Sequence, residues 1–110
     1  MSAQIKVTRG DSLPLYIDVK WSDGEDYEMQ EGDTLIFTVK SNVNVEDNPV
    51  LIQKIMTYES GPYCEFKPSE TELDYGMYKY DVELNQANGR RFTVIKPTNF
   101  RVTTEVTTHE

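Results

Sequence analysis

Five apolar residues at strict period two, Leu13, Leu15, Ile17, Val19 and Trp21, constrain this chain more than any other feature of its sequence. Pro14, Tyr16, Asp18 and Lys20 stand between them. Successive side chains of a strand point to opposite faces, so such a run demands a strand with one buried face. Pro14 lies at its start, where a missing N–H is tolerated.

Shorter runs of the same kind recur, with turn residues between them. Gln4 to Arg9 sets Ile5 and Val7 on one face before the turn Gly10-Asp11-Ser12. Ser22 to Asp26 reads as a turn, and the acidic stretch onward to Asp33 reads as loop. Thr34 to Ser41 returns to strand with Leu35, Phe37 and Val39 facing in, and Asn42 to Pro49 is a polar excursion. Val50 to Tyr58 begins apolar on both faces, which a bulge or a doubly buried position would explain. Gly61-Pro62 breaks the chain before a short strand, Tyr63 to Lys67, in which Cys64 and Phe66 share a face. In Pro68 to Leu73, Ser69 is placed to cap one helical turn, with Glu72 completing a capping box.

Tyr78, Tyr80, Val82 and Leu84 then alternate with Lys79, Asp81 and Glu83. Asn88-Gly89 predicts a hairpin with a type I′ turn, whose two central residues need positive φ. Arg91 to Lys96 returns with Phe92 and Val94 inward, Pro97-Thr98 interrupts, and Phe100, Val102, Thr104 and Val106 form a last strand ahead of a frayed tail at Thr107 to Glu110. Leu73 to Tyr78 reads as a tyrosine corner, in which the Tyr78 hydroxyl returns to upstream backbone and Gly76 permits the tight approach. Seven or eight short strands spread over 110 residues predict one all-β domain, residues 1–110, folded as an immunoglobulin-like antiparallel β-sandwich. Composition agrees, with 10 Val, 6 Ile and 11 Thr against two Ala.

The residue inventory points away from catalysis. His109, the single histidine, sits near the C-terminus, where nothing positions it for proton transfer. Cys64, the single cysteine, alternates in phase with Phe66 and reads as a small buried hydrophobe. With one of each, no Cys/His metal site forms, and a lone cysteine fits a reducing compartment. Asp23, Glu25, Asp26, Glu28, Glu31 and Asp33 crowd one loop, but their spacing departs from an EF-hand, so a solvated acidic loop is the reading preferred to calcium. Arg9-Gly10-Asp11 spells an adhesion tripeptide, yet Gly and Asp there supply turn chemistry. No glycine-rich loop leads into a helix, and Gly32-Asp33 and Asp23-Gly24 are turns. No catalytic, cofactor-binding or metal residue is therefore assigned, and the binding residues are left unassigned.

A net charge of −8 repels a phosphate backbone and argues against nucleic acid. No apolar run reaches membrane-spanning length, and Met1 to Gln4 lacks the features of a secretory signal. Tyr16, Tyr27, Tyr58, Tyr63 and Tyr75 are less clearly core; partial burial at sheet edges is the reading preferred for most of them, with a sugar platform or a protein interface as the alternative.

The turns and strands also carry a family resemblance over nearly the whole chain. Arg9-Gly10-Asp11-Ser12 precedes the first long run and Asp23-Gly24 follows it. Gly32-Asp33 leads into Phe37-Thr38-Val39-Lys40, then come Leu51-Ile52-Gln53-Lys54, Pro68 and Thr71. Gly76-Met77-Tyr78-Lys79-Tyr80-Asp81-Val82 stands ahead of the Asn88-Gly89 hairpin. In this order the chain resembles small domains of bacteriophage and prophage tail baseplates, such as the N-terminal domain of the upper baseplate protein of lactococcal-type siphophages. The resemblance implies a non-catalytic virion structural protein, made in the bacterial cytoplasm and placed in the tail. Its partners would be other tail or baseplate proteins, with self-association left open. In that family a helical and receptor-binding region follows, whereas this sequence stops after the last strand. The alternative is a carbohydrate-binding or host-adhesion sandwich, although Trp21, the best sugar-stacking residue, is in phase with the core.

Overall fold

The computed structural model describes residues 4–21, 23–41 and 50–104. Among these, seven strands and a single helical turn alternate along the chain. The strands are β1 (Ile5–Thr8), β2 (Leu13–Tyr16), β3 (Thr34–Lys40), β4 (Val50–Thr57), β5 (Tyr63–Phe66), β6 (Gly76–Asn85) and β7 (Arg91–Thr103). They form a five-stranded sheet in the order β1-β7-β6-β3-β4 and a two-stranded sheet of β2 and β5. The protein is an all-β, sandwich-like fold of these two sheets. One pairing departs from the antiparallel expectation. β1 runs parallel to β7, with Ile5 opposite Phe100 and Thr8 opposite Thr103, so the larger sheet is mixed.

The core lies where the two sheets face each other. β3 places Leu35, Phe37 and Val39 inward and β6 places Tyr80, Val82 and Leu84 inward, all six buried. β5 covers them with Phe66, and β7 adds Phe100 and Val102. Phe37 is the hub of an aromatic cluster. Its ring stacks on Tyr80 at 4.8 Å and meets Phe66 of the opposite sheet edge-on at 5.5 Å. Offset-stacked and edge-on rings place electron-poor edges against electron-rich faces, so the cluster gains energy beyond area burial.

The alternation from Leu13 to Trp21 is realised only in part as a strand. β2 pairs with β5 over Leu13–Tyr16, and Ile17 N–H adds one bond to the Pro62 carbonyl at 2.8 Å. Beyond that the partner strand ends at Gly61-Pro62. The chain stays extended, with Ile17 and Val19 buried and Trp21 partly so. Its next partners come from its own return: Tyr27 N–H donates to the Val19 carbonyl and Trp21 N–H to the Glu25 carbonyl.

Four local expectations are corrected. The helical turn spans Pro68–Glu70, and Glu70, rather than Glu72, accepts from the Lys67 N–H at 2.7 Å, so Ser69 lies inside the turn instead of capping it. The Asn88-Gly89 hairpin forms, but only Gly89 has positive φ (91°), so the turn is not type I′. Gly89 N–H donates to the Gln86 carbonyl and Gln86 N–H to the Arg90 carbonyl, a longer loop with its left-handed residue at the glycine. Pro97-Thr98 does not interrupt the strand. β7 runs through it, and register shifts between Tyr80 and Val82 and between Val82 and Glu83 absorb the irregularity as bulges. The last strand closes at Thr103, before Thr104, and the expectations for Val106 and the 107–110 tail lie outside the described residues. So does the polar excursion at 42–49.

Of the two explanations open for the start of β4, a bulge or a doubly buried position, the bulge is the one present. Val39 pairs with Ile52 but Lys40 with Val50, so Leu51 is the extra residue. The tyrosine corner also forms, its Tyr78 hydroxyl donating to the Asp74 carbonyl at 2.6 Å.

Candidate functional site

Of the residues singled out for chemistry, none meets another in a catalytic arrangement among the described residues. Cys64 is buried, and burial pushes its thiol pKa up, away from nucleophilic thiolate. His109 lies outside the described residues.

Five of the six acids of the loop are exposed, as a solvated loop requires, and only the sixth is taken up by the interior. Asp33 is buried. It accepts from the Tyr27 hydroxyl, from Gln30 N–H at 2.9 Å and from Ala87 N–H at 3.1 Å. Burial pushes its pKa up, but these three donors outweigh burial and hold the carboxyl below its ordinary value. Asp33 thus ties the loop before β3 to the β6–β7 hairpin. The backbone agrees, because Gly32 has φ 91° and a Cβ there would meet the Ala87 Cβ at 2.8 Å. Asp26 pairs with Lys20, and the Asp23 carboxylate accepts from Glu25 N–H at 3.0 Å. Among the described residues no three His, Cys, Asp or Glu side chains gather to hold a metal. No described helix is long and apolar enough to cross a membrane.

Arg9-Gly10-Asp11 is a turn, as its composition implies. Gly10 has φ 84°, Asp11 N–H donates to the Thr8 carbonyl, and the Asp11 carbonyl accepts from the buried Thr71 hydroxyl at 2.7 Å. The Arg9 guanidinium sits 5.8 Å from the centre of the Tyr75 ring.

What the fold leaves outward is apolar in three places. The first is β4, which ends the larger sheet among the described residues. Val50, Leu51 and Ile55 are exposed on it, Ile55 by 62%. Ile55 pairs across the ladder with Ile36, so the exposed face continues onto β3. The apolar start of Val50 to Tyr58 was the signal for this surface, and the bulge at Leu51 explains why it did not fit one face.

The second is the outer face of the small sheet. Tyr16, 80% exposed, meets the Tyr63 ring at 4.7 Å and 45°, and the Tyr63 hydroxyl donates to Glu65 at 2.8 Å. That bond to a carboxylate raises the Tyr63 pKa. Of the other tyrosines, Tyr58 and Tyr75 are exposed, while Tyr27 packs its ring edge-on to Trp21 at 5.0 Å. Trp21 also meets Phe92 edge-on at 5.1 Å, which engages it with its own protein as its phase implies.

The third is a cleft of about 850 Å³ between the extended Leu15–Trp21 segment and the first half of β7, lined by Ile5, Ile17, Trp21, Val94 and Ile95 among others. Sequence reasoning missed it, because it exists only where two separated segments fail to meet.

No family model, curated protein or solved structure matches this chain.

Proposed function

We propose that this domain is a non-catalytic docking module acting by protein–protein contact, within a phage or prophage tail or baseplate as the family resemblance implies. The observation that carries the docking reading is β4. It offers a sheet edge with no described neighbour together with exposed Val50, Leu51 and Ile55. An edge ladder of unpaired N–H and C=O groups is a template for another chain. Exposed apolar side chains beside it supply the burial that makes such pairing worthwhile. The partner class, tail proteins, rests on the resemblance alone.

The test is co-purification of the domain with the proteins encoded beside it. Retention of a tail protein by the wild type, lost in Ile55→Glu with thermal unfolding unchanged, supports the reading. Absence of any association with neighbouring tail proteins defeats it. A coding sequence lying beside sugar-uptake genes, with no tail genes around it, would count equally against the phage assignment.

A second reading, carbohydrate binding, is favoured by one observation: the exposed Tyr16–Tyr63 pair with Glu65 alongside. Tyrosine faces stack on sugar C–H groups, and a carboxylate can accept from sugar hydroxyls. A glycan array probed with and without calcium separates the two readings, since signal lost in Tyr16→Ala would move the function to this face.

A further inference from the structure

The cleft beside β7 is bounded by two backbone edges. β7 is covered on one side by β6 along its length, but on the other β1 covers only Phe100–Thr103. Its first half, Arg91 to Lys96, has no described strand on that side. Across the cleft, Ile17 N–H points to Pro62 and Trp21 N–H to Glu25. Backbone groups of a strand alternate in direction, so those of Tyr16, Asp18 and Lys20 point the other way, into the cleft they line. Pro14 belongs to the same edge, which explains how a proline sits inside a paired strand: its missing N–H falls on the side with no ladder. Between the edges lies an apolar floor of Ile5, Leu15, Ile17, Trp21, Val94 and Ile95.

The charges around this gap run against those of the molecule. The chain carries −8, yet Arg90 to Lys96 holds Arg90, Arg91 and Lys96 and no acidic residue. Arg91, Thr93 and Lys96 are exposed, while Phe92 and Val94 are half-buried. On the facing wall Lys20 stands between two carboxylates, paired with Asp26 and 3.6 Å from Asp18. A second copy is a poor occupant. Antiparallel pairing of two β7 edges sets Arg91 of one copy toward Lys96 of the other, and like charges opposite one another destabilise a ladder.

We propose that this cleft is a strand-accepting site, and that its occupant is an extended segment of a partner protein in which apolar residues alternate with acidic ones. The inserted strand bonds to the open edge of β7, drops its apolar side chains onto the cleft floor, and sets its acidic side chains beside Arg91 and Lys96. Main-chain bonds hold the segment and the alternating pockets read it. The site is separate from β4, so it adds a second docking surface to the reading above.

Trp21 is the only tryptophan and lines the cleft, so its fluorescence reports occupancy. The probe is a short capped peptide of alternating valine and aspartate, titrated into the intact chain. The expected result is a saturable change in Trp21 emission, with slowed amide exchange at Thr93 to Ile95 and at Asp18 and Lys20. The double variant Arg91→Glu, Lys96→Glu alters exposed side chains only and should weaken binding at least about tenfold, while favouring a valine–lysine peptide. Ile55→Glu should leave the titration unchanged, which separates this site from docking on β4. The proposal falls if no saturable change appears, or if a peptide with its valines and aspartates in separate blocks binds equally well. It also falls if protection develops on β4 instead. A peptide-free dimer that protects the β7 edge as concentration rises would assign the cleft to a second copy and overturn the chosen occupant.

Discussion

The two sheets treat the same sequence signal differently. In the larger sheet, alternation and pairing coincide: β3 is bonded on both sides, by β4 and β6, and its inward residues are fully buried. In the smaller sheet, a longer alternating run pairs over only four residues, yet Ile17 and Val19 beyond them are still buried. Alternation therefore dictates which side chains go inside, while a ladder needs a partner of matching length. β5 ends at Gly61-Pro62, and proline has no N–H to continue the bonding. The ladder on that side stops with its partner, while the opposite edge of the run, where Pro14 lies, has no described strand along it and forms a wall of the cleft.

The sharpest way to break this contrast is to delete a core side chain from each region. Phe37→Ala removes the hub of the aromatic cluster and should cost about 3–5 kcal/mol in urea denaturation. Ile17→Ala, beside the open cleft where the site can relax, should cost about 2 kcal/mol. Equal losses would mean that the cleft is as tightly packed as the sandwich centre.

Asp33→Asn probes how the larger sheet's loops are held. An amide there must turn an NH2 toward one of three donors, so the expected loss at neutral pH is about 1–3 kcal/mol. The pH dependence follows from the depressed carboxyl. Its contribution is fully present above the ordinary unfolded value, near about 4, and disappears as pH falls through the lower folded value. Urea midpoints measured across the acidic range should therefore fall more steeply for wild type than for Asp33→Asn.

Tyr78→Phe removes the corner hydrogen bond to Asp74 and should cost about 1 kcal/mol by thermal unfolding. The smallest effect is expected at the free edge. Pro14→Val should change stability by no more than about 1 kcal/mol, because its N–H would face no ladder and only unfolded-state freedom changes. Thr38→Pro in β3, bonded on both sides, should by contrast cost about 3 kcal/mol or more. Near-equal effects of the two would refute the assignment of Pro14 to an open edge.

The inward phases of β3, β5 and β6, the burial of Cys64 and the tyrosine corner were all legible in the sequence. Each is decided by residues near one another in the chain, through period-two alternation or the reach of one hydroxyl to a carbonyl four residues back. The misplaced helical cap has a long-range cause. Ser69 and Glu72 satisfy the capping pattern as well as the true pair does, but Lys54 reaches Glu70 at 2.7 Å from a strand sixteen residues away and fixes the turn there. That salt bridge, with Lys67 N–H, also holds the Glu70 pKa down.

The docking surfaces were the least legible part. An exposed Ile55 looks in sequence like any other residue of an apolar strand, and only the absence of a described neighbour beyond β4 makes it a surface. The sequence by itself determined the fold class and the inward faces of β3, β5 and β6, because side-chain alternation is a property of the chain. Tertiary structure alone decided that β1 runs parallel to β7, that Pro97 is carried through on bulges, and that two edges stay apart to leave a cleft. Those outcomes depend on which distant segments find each other, and on how far each partner strand extends before its own turn ends it.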